Sequence, residues 1–386
     1  MRRALGSLVL LTLAVAVCTA TPASGSAHAA APHGTSQVRG DQWHLQFLKL
    51  AQAHQISRGE GVVVALPDTG VDAHPDLRLN LLPGANFLPG DAKEGMKDPN
   101  GHGTAMAGLI GAHGQPDETG ALGIAPKARI IPLKTSTATN EGNADRLAIA
   151  IEYAIAAGAD VVSVSGGGAG SPHLFRALQA ARAANVVVVA AAGNIPEDST
   201  VIFPAAADGV VGVGGIDRHG NHAKISVTGP QIDVVAPAVN IYSTNTGAKY
   251  RRSSGTSNSA AIVAGAVALI RAKYPYLPAD EVVHRLTATA IDKGPPGRDD
   301  QYGHGVIDLV AALTADVPPR GFTSPPTGAA TAATSTTAAG PSNGGGDGGT
   351  VRGWATLGVV LAAGGGWALY ARRRRRADDP PPRISR

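Results

Sequence analysis

An α/β fold with a mostly parallel central sheet is what this 386-residue sequence predicts, on two observations. Continuous β-branched runs recur at Val62-Val63-Val64-Ala65-Leu66, Val161-Val162-Ser163-Val164 and Val186-Val187-Val188-Val189. Unbroken apolar runs suit strands buried on both faces, as parallel strands are. Helical stretches lie between them, and strands alternating with helices imply parallel neighbours in one sheet.

The elements follow in order. His102 to Ala112 is small-residue helix material. Asp145 to Ala157 carries Leu147, Ile151, Ala154 and Ile155 at helical spacing. Ser171-Pro172 places a capping residue before a proline at the first helical position, and the helix runs to about Ala184. A long helix spans about Thr256 to Lys273, and another starts near Pro278-Ala279-Asp280-Glu281. In such folds functional residues collect at the carboxyl ends of strands.

Composition narrows the class. With 44% hydrophobic and 16% charged residues the chain is not disordered. Its 50 glycines have no three-residue period, which excludes collagen. A single cysteine, Cys18, excludes a disulfide scaffold and a zinc ribbon. The net charge of +4 invites a nucleic-acid partner, but its distribution argues against one. Arg2 and Arg3 supply +2, and the stretch from Arg352 supplies +6 after Asp378 and Asp379 offset its arginines, which leaves −4 for residues 4 to 351.

The ends describe a topology instead. Arg2 and Arg3, the apolar stretch Leu8 to Val17, and Ala27-His28-Ala29 read as a secretory signal peptide over 1–29, with Ala31 as the alternative cleavage point. Val17 is large for the position before a lipidated cysteine, which disfavours a lipoprotein site at Cys18. A short extension covers 30–60 and the α/β body 61–315. Residues 316–351 are rich in Pro, Thr, Ser, Ala and Gly and form an extended tether. Trp354 to Ala371 is an uncharged apolar span, about 27 Å as a helix and enough to cross the hydrocarbon layer. Arg372 to Arg376 follow at once, as a stop-transfer cluster does. The expectation is one transmembrane helix within 352–371, a basic cytoplasmic tail over 372–386, and a body outside the cell membrane.

Three polar residues stand at element ends. Asp68 closes the first strand in Pro67-Asp68-Thr69-Gly70-Val71, where a simple turn is the alternative. Asp-Thr-Gly also marks aspartic proteases, which need two such carboxylates, and this chain has one. His102 lies between Gly101 and Gly103 at a helix start, and a structural histidine there is the alternative. Ser257 opens the long helix in Gly255-Thr256-Ser257-Asn258-Ser259, where an N-cap cluster is the alternative. Taken together in the order Asp, His, Ser, they suit nucleophilic catalysis: a neutral serine needs an adjacent base, and the base needs an orienting carboxylate.

These residues resemble the subtilase family of serine proteases. Asp68-Thr69-Gly70-Val71, His102-Gly103-Thr104 with Ala107-Gly108, and Gly255-Thr256-Ser257 are similar to its three signatures. Gly123-Ile124-Ala125-Pro126, Ala190-Ala191-Ala192-Gly193-Asn194 and Gly303-His304-Gly305-Val306-Ile307-Asp308 are similar to further family segments, so the resemblance covers about 61 to 313. It implies a subtilisin-like three-layer fold and endopeptidase activity on protein or peptide substrates. It implies a triad of Asp68, His102 and Ser257 and an oxyanion donor in the Asn194 side chain. Ser165, Gly166 and Gly167 would pair with an extended substrate, and Ala191 and Gly193 would border its pocket. No cofactor is implied; some relatives bind calcium, but no stretch resembles a dedicated calcium loop. His74, His219, His222 and His304 show no ligand spacing.

The chain departs from the family at Ala261, where proline is usual, at Asn258, where methionine is frequent, and at Pro67, which restricts Leu66. The extension is too short for an independent inhibitory domain. With the tether and anchor, it resembles the mycosins, membrane-anchored subtilases associated with type VII secretion, although mycosins usually carry cysteines in the mature chain. That resemblance implies a secretion membrane complex as partner. An idle subtilase fold serving such a complex structurally is the second expectation.

Overall fold

A computed structural model describes residues 35–90, 97–137 and 142–320. The expected signal peptide, nearly all of the tether, the apolar span and the basic tail lie outside them. No helix among the described residues is long and apolar enough to cross a membrane.

Three short helices lead in: α1 (Thr35–Asp41), α2 (Trp43–Phe47) and α3 (Leu50–Ala53). The body follows with β1 (Val63–Asp68), β2 (Ala85–Asn86), α4 (His102–Gly111), β3 (Arg129–Lys134), α5 (Ala144–Ala156), β4 (Val161–Val164), α6 (Pro172–Ala183), β5 (Val187–Ala191), β6 (Val210–Ile216) and β7 (Val234–Pro237). A hairpin of β8 (Ile241–Asn245) and β9 (Lys249–Ser253) precedes α7 (Thr256–Lys273), α8 (Ala279–Ala288) and α9 (Leu309–Thr314).

Strands β1 to β7 form one sheet in the order β2-β3-β1-β4-β5-β6-β7, with every pair parallel. Its unbroken apolar runs divide by strand periodicity. Val64 and Leu66 of β1 and Val187, Val189 and Ala191 of β5 join a core with α4 and α7. Ala65, Val188 and Ala190 join a second core with α5 and α6. Three layers result, and a run that shows no alternation is explained by two apolar faces rather than one.

Helix α7 is buried on all sides over most of its 18 residues, as a helix crossing a core must be. Small residues let it pack: a Cβ on Gly265 would stand 2.6 Å from Ile124 Cβ. Its polar residues are satisfied locally. Ser259 Oγ donates to Ala236 O (2.9 Å) and Asn258 Nδ2 to Ala238 O (3.1 Å). Asn258, in a position where relatives often have methionine, is thus bonded rather than stranded.

The lead-in helices are tied to distant strands and loops. Arg39 donates to Thr119 O and Gly120 O, the Gln42 amide exchanges bonds with Leu122, and Trp43 Nε1 donates to Val239 O (3.2 Å). On α2, His44 is fully buried, and neither ring nitrogen has a hydrogen-bond partner. Burial lowers its pKa to about 3. Protonation therefore favours the unfolded chain: the His44 contribution is intact above the ordinary histidine value and is lost as pH falls from about 6.5 to about 3. By pH 4 this single group should remove about 3 kcal/mol relative to pH 7. Chemical denaturation of wild type and His44→Leu at both pH values measures it. An equal acid loss in the two proteins would exclude His44 as the source.

Candidate functional site

Strand order places the site. β1 has β3 on one side and β4 on the other; β1 connects to β2 at the far edge beyond β3, whereas β4 leads on to β5 in the opposite direction. Crevices at the carboxyl ends of strands open at such a switch. Asp68 ends β1, and Ser165 directly follows β4.

Asp68 is buried, and its carboxylate is held from several directions. Its Oδ1 accepts from Thr69 N (2.7 Å) and from Nδ1 of His102 (2.8 Å). An ionised carboxylate only accepts, so Nδ1 carries the proton and Nε2 is left as a base. Close approach of α4 to β1 makes this contact. A Cβ on Gly103 would stand 2.0 Å from Gly70 O, so only glycine fits beside His102.

A second carboxylate fixes the histidine helix. The α4 N-cap, Gly101, makes no side-chain cap bond; Asp98 serves the helix start instead. Its Oδ1 accepts from Gly101 N (2.8 Å), Asn100 N and Thr69 Oγ1, and its Oδ2 from Thr104 N (2.8 Å) and Thr104 Oγ1. The Thr69 hydroxyl in turn accepts from Gly103 N (3.0 Å). Asp98 thereby joins the end of β1 to the start of α4. An acid just before a helix rich in glycine was the available signal for this role.

Burial pushes the His102 imidazolium down, but the Asp68 carboxylate outweighs it by charge and hydrogen bond, so the pKa lies above its ordinary value. Arg251 lowers it and Asp98 raises it.

Ser257 is the second residue of α7, after the N-cap Gly255. The Ser/Thr cluster is therefore not the cap. The first free N–H, that of Thr256, donates to Asn194 Oδ1 (2.9 Å). A backbone N–H cannot accept, so this bond orients the Asn194 amide and leaves its Nδ2 as the free donor. Asn194 itself is anchored because its backbone N donates to Asp198 Oδ2 (2.8 Å). The Ser257 hydroxyl donates to Ser165 O (2.7 Å) and makes no hydrogen bond with His102 among the described residues.

One cleft is lined by His102, Ser165, Gly166, Gly167, Ala191, Gly193, Asn194 and Ser257, with Asp68 bonded behind His102. The residues singled out in the sequence thus converge. Gly166 to Gly168 is not a free loop: Gly168 and Phe203 exchange backbone bonds (2.9 and 3.2 Å). Sequence reasoning missed the apolar groove beside it, lined by Leu147, Val164, Leu174 and Phe203, and also Arg251 on the wall of the cleft. Leu147 and Leu174 read in sequence only as helix residues. Of the four histidines without ligand spacing, His74 is buried and bonds Asp76 N and Lys249 O. Among the described residues no three His, Cys, Asp or Glu side chains gather as a metal site would require.

Comparison with known proteins gives the family. The subtilase family model matches residues 59–305. Subtilisin DY of Bacillus licheniformis is 37% identical over 286 residues, covering 73% of this chain and 98% of that protein. Subtilisin Savinase of Lederbergia lenta is 36% identical over 272 residues, covering 70% and 97%. Among solved structures, MycP1 from Mycobacterium smegmatis superposes with a TM-score of 0.62 at 29% identity, covering 72% of this chain and 85% of that one. A MycP1 described as a serine protease and an essential component of the type VII (ESX-1) secretion system superposes with a TM-score of 0.64 at 33% identity, covering 74% and 92%.

Proposed function

This chain belongs to the subtilase family of serine proteases, and from that premise we propose that it is an endopeptidase working through Asp68, His102 and Ser257. The observation that carries the reading is the 2.8 Å bond from His102 Nδ1 to the buried Asp68, in the same cleft as Ser257 and Asn194.

The reaction begins as the Ser257 hydroxyl turns from Ser165 O towards His102 Nε2. Its oxygen attacks the substrate carbonyl carbon while Nε2 takes the proton. Asp68 holds the tautomer and stabilises the imidazolium. The new oxyanion lies against Asn194 Nδ2 and the Ser257 N–H at the start of α7, where an N–H has no helical partner. Collapse expels the amine, which receives the proton from His102, and water then releases the acyl group by the same steps. The acyl side of the substrate runs along Ser165 to Gly167, with Ala191 and Gly193 bordering its side-chain pocket.

The reading extends to location. The sequence supports an exported body, a tether and a membrane anchor, and the likeness to MycP1 supports a place beside a type VII secretion membrane complex. One observation favours a second reading, an idle fold with a structural role: the Ser257 hydroxyl is turned to Ser165 rather than to His102. Labelling of the full-length protein with a fluorophosphonate, read by mass spectrometry, separates the two. The active reading expects the adduct on Ser257. Folded protein that carries none would overturn it.

A further inference from the structure

Arg251 stands on the cleft wall without a partner. On β9, Tyr250 and Arg252 face away from the cleft: the Tyr250 hydroxyl donates to Asp76 Oδ2 (2.9 Å), and the Arg252 guanidinium lies 5.8 Å from the Tyr242 ring centre. Strand alternation turns Arg251 and Ser253 the other way, and both line the cleft with His102 and Ser257. Arg251 is half-buried, yet its guanidinium has no hydrogen bond or ion pair among the described residues. Arg39, Arg271 and Arg285 each donate to backbone carbonyls, whereas half-buried Arg58, far from the cleft in sequence, leaves its Nε unpartnered. A sheltered guanidinium left unpaired forgoes charge-assisted bonds.

Its position also opposes the chemistry. The charged groups acting on His102 are Asp68 and Asp98, which favour the imidazolium, and Arg251, which disfavours it. A cation beside the general base hinders the moment at which that base takes a proton. An acidic group on the substrate would cancel this field and satisfy the guanidinium together. Ser165 to Gly167 and Ala191 to Gly193 border the acyl side on the reading above, whereas Arg251 enters from β9, next to the histidine that protonates the departing amine.

We propose that Arg251 selects substrates carrying aspartate or glutamate in the segment immediately after the scissile bond. The inference rests on the active-protease reading. It specifies the substrate class by chemistry: a chain whose leaving portion begins acidic.

Full-length protein and fluorogenic peptides test it. The peptides share one sequence before the scissile bond and carry Asp, Asn, Glu, Gln or Lys at each of the first three positions after it. Hydrogen bonds to charged groups make acidic peptides better than their amide isosteres by about 10- to 100-fold in kcat/KM. Arg251→Gln should level that ratio, Arg251→Lys should keep part of it, and Arg251→Glu should prefer the lysine peptides. In Arg251→Gln the acid limb of kcat/KM should also move to higher pH, because the group that depressed His102 is gone. Circular dichroism and melting temperature establish that each variant is folded. Equal cleavage of acidic and amide peptides by wild type, or a preference that survives in Arg251→Gln, overturns the inference and leaves the protease reading standing. No cleavage together with no label on Ser257 overturns both.

Discussion

Ser257→Ala should lower kcat by about 10⁶-fold with little change in KM, the magnitude known for loss of the nucleophile in a subtilisin. The structure indicates why the loss would be chemical rather than structural. Ser257 is the second residue of α7, not its cap. Its hydroxyl makes one bond, to Ser165 O, and alanine is a better helix former. Asn194 and the backbone N–H at position 257 remain, so residual turnover above the uncatalysed rate is expected from oxyanion binding alone. Single-turnover and steady-state kinetics on a common peptide check this. A variant retaining more than a hundredth of the wild-type kcat would show that another group is the nucleophile.

Asp68→Asn should cost about 10⁴-fold in kcat, by a route this site specifies. In the trypsin-like case the neutral replacement holds the wrong histidine tautomer. Here Asp68 Oδ1 also accepts from Thr69 N, so turning the amide to place NH2 there would set two donors face to face. The asparagine oxygen should stay in place and keep His102 Nδ1 protonated. What is lost is the negative charge. With it gone, burial and Arg251 act on His102 unopposed except by Asp98. The acid limb of kcat/KM, above the ordinary histidine value in wild type, should therefore fall below it in the variant. A profile measured between pH 4 and 9 reads the shift. An unmoved limb would mean that His102 is not the titrating base.

Much of this was legible in the sequence. The valine runs mark β1, β4 and β5 to within two residues at each end, because strands buried on both faces carry a signal that tertiary context cannot invert. β2, two residues long, has too few side chains to carry a pattern. The β8–β9 hairpin mixes Tyr, Ser, Thr and Arg, so neither periodicity nor a short turn signature marks it. In the site, the residues that stand at element ends were found and those that hold them were not. Asp98 reads as a turn residue in Asp98-Pro99-Asn100-Gly101, and only the fold brings Thr69 to it. His44 lies in the short extension, where the sequence marks no helix, and its enclosure depends on segments far along the chain. The direction of the Ser257 hydroxyl depends on where the Ser165 carbonyl falls, which no local rule supplies.

The lead-in helices have a kinetic consequence. Gln42 bonds Leu122 and Tyr242, and Trp43 bonds Val239, so these contacts of the lead-in helices cannot form until residues 80 to 200 positions later have left the ribosome. The parts of the site are spread in the same way, from residue 68 to residue 257. Contacts this distant fold slowly, because loop entropy is lost before contact energy is gained. The cleft therefore completes only after most of the chain has emerged. Neighbours of the nascent chain meet a peptide in which residues 68, 102 and 257 are not yet assembled, a delay set by chain connectivity alone.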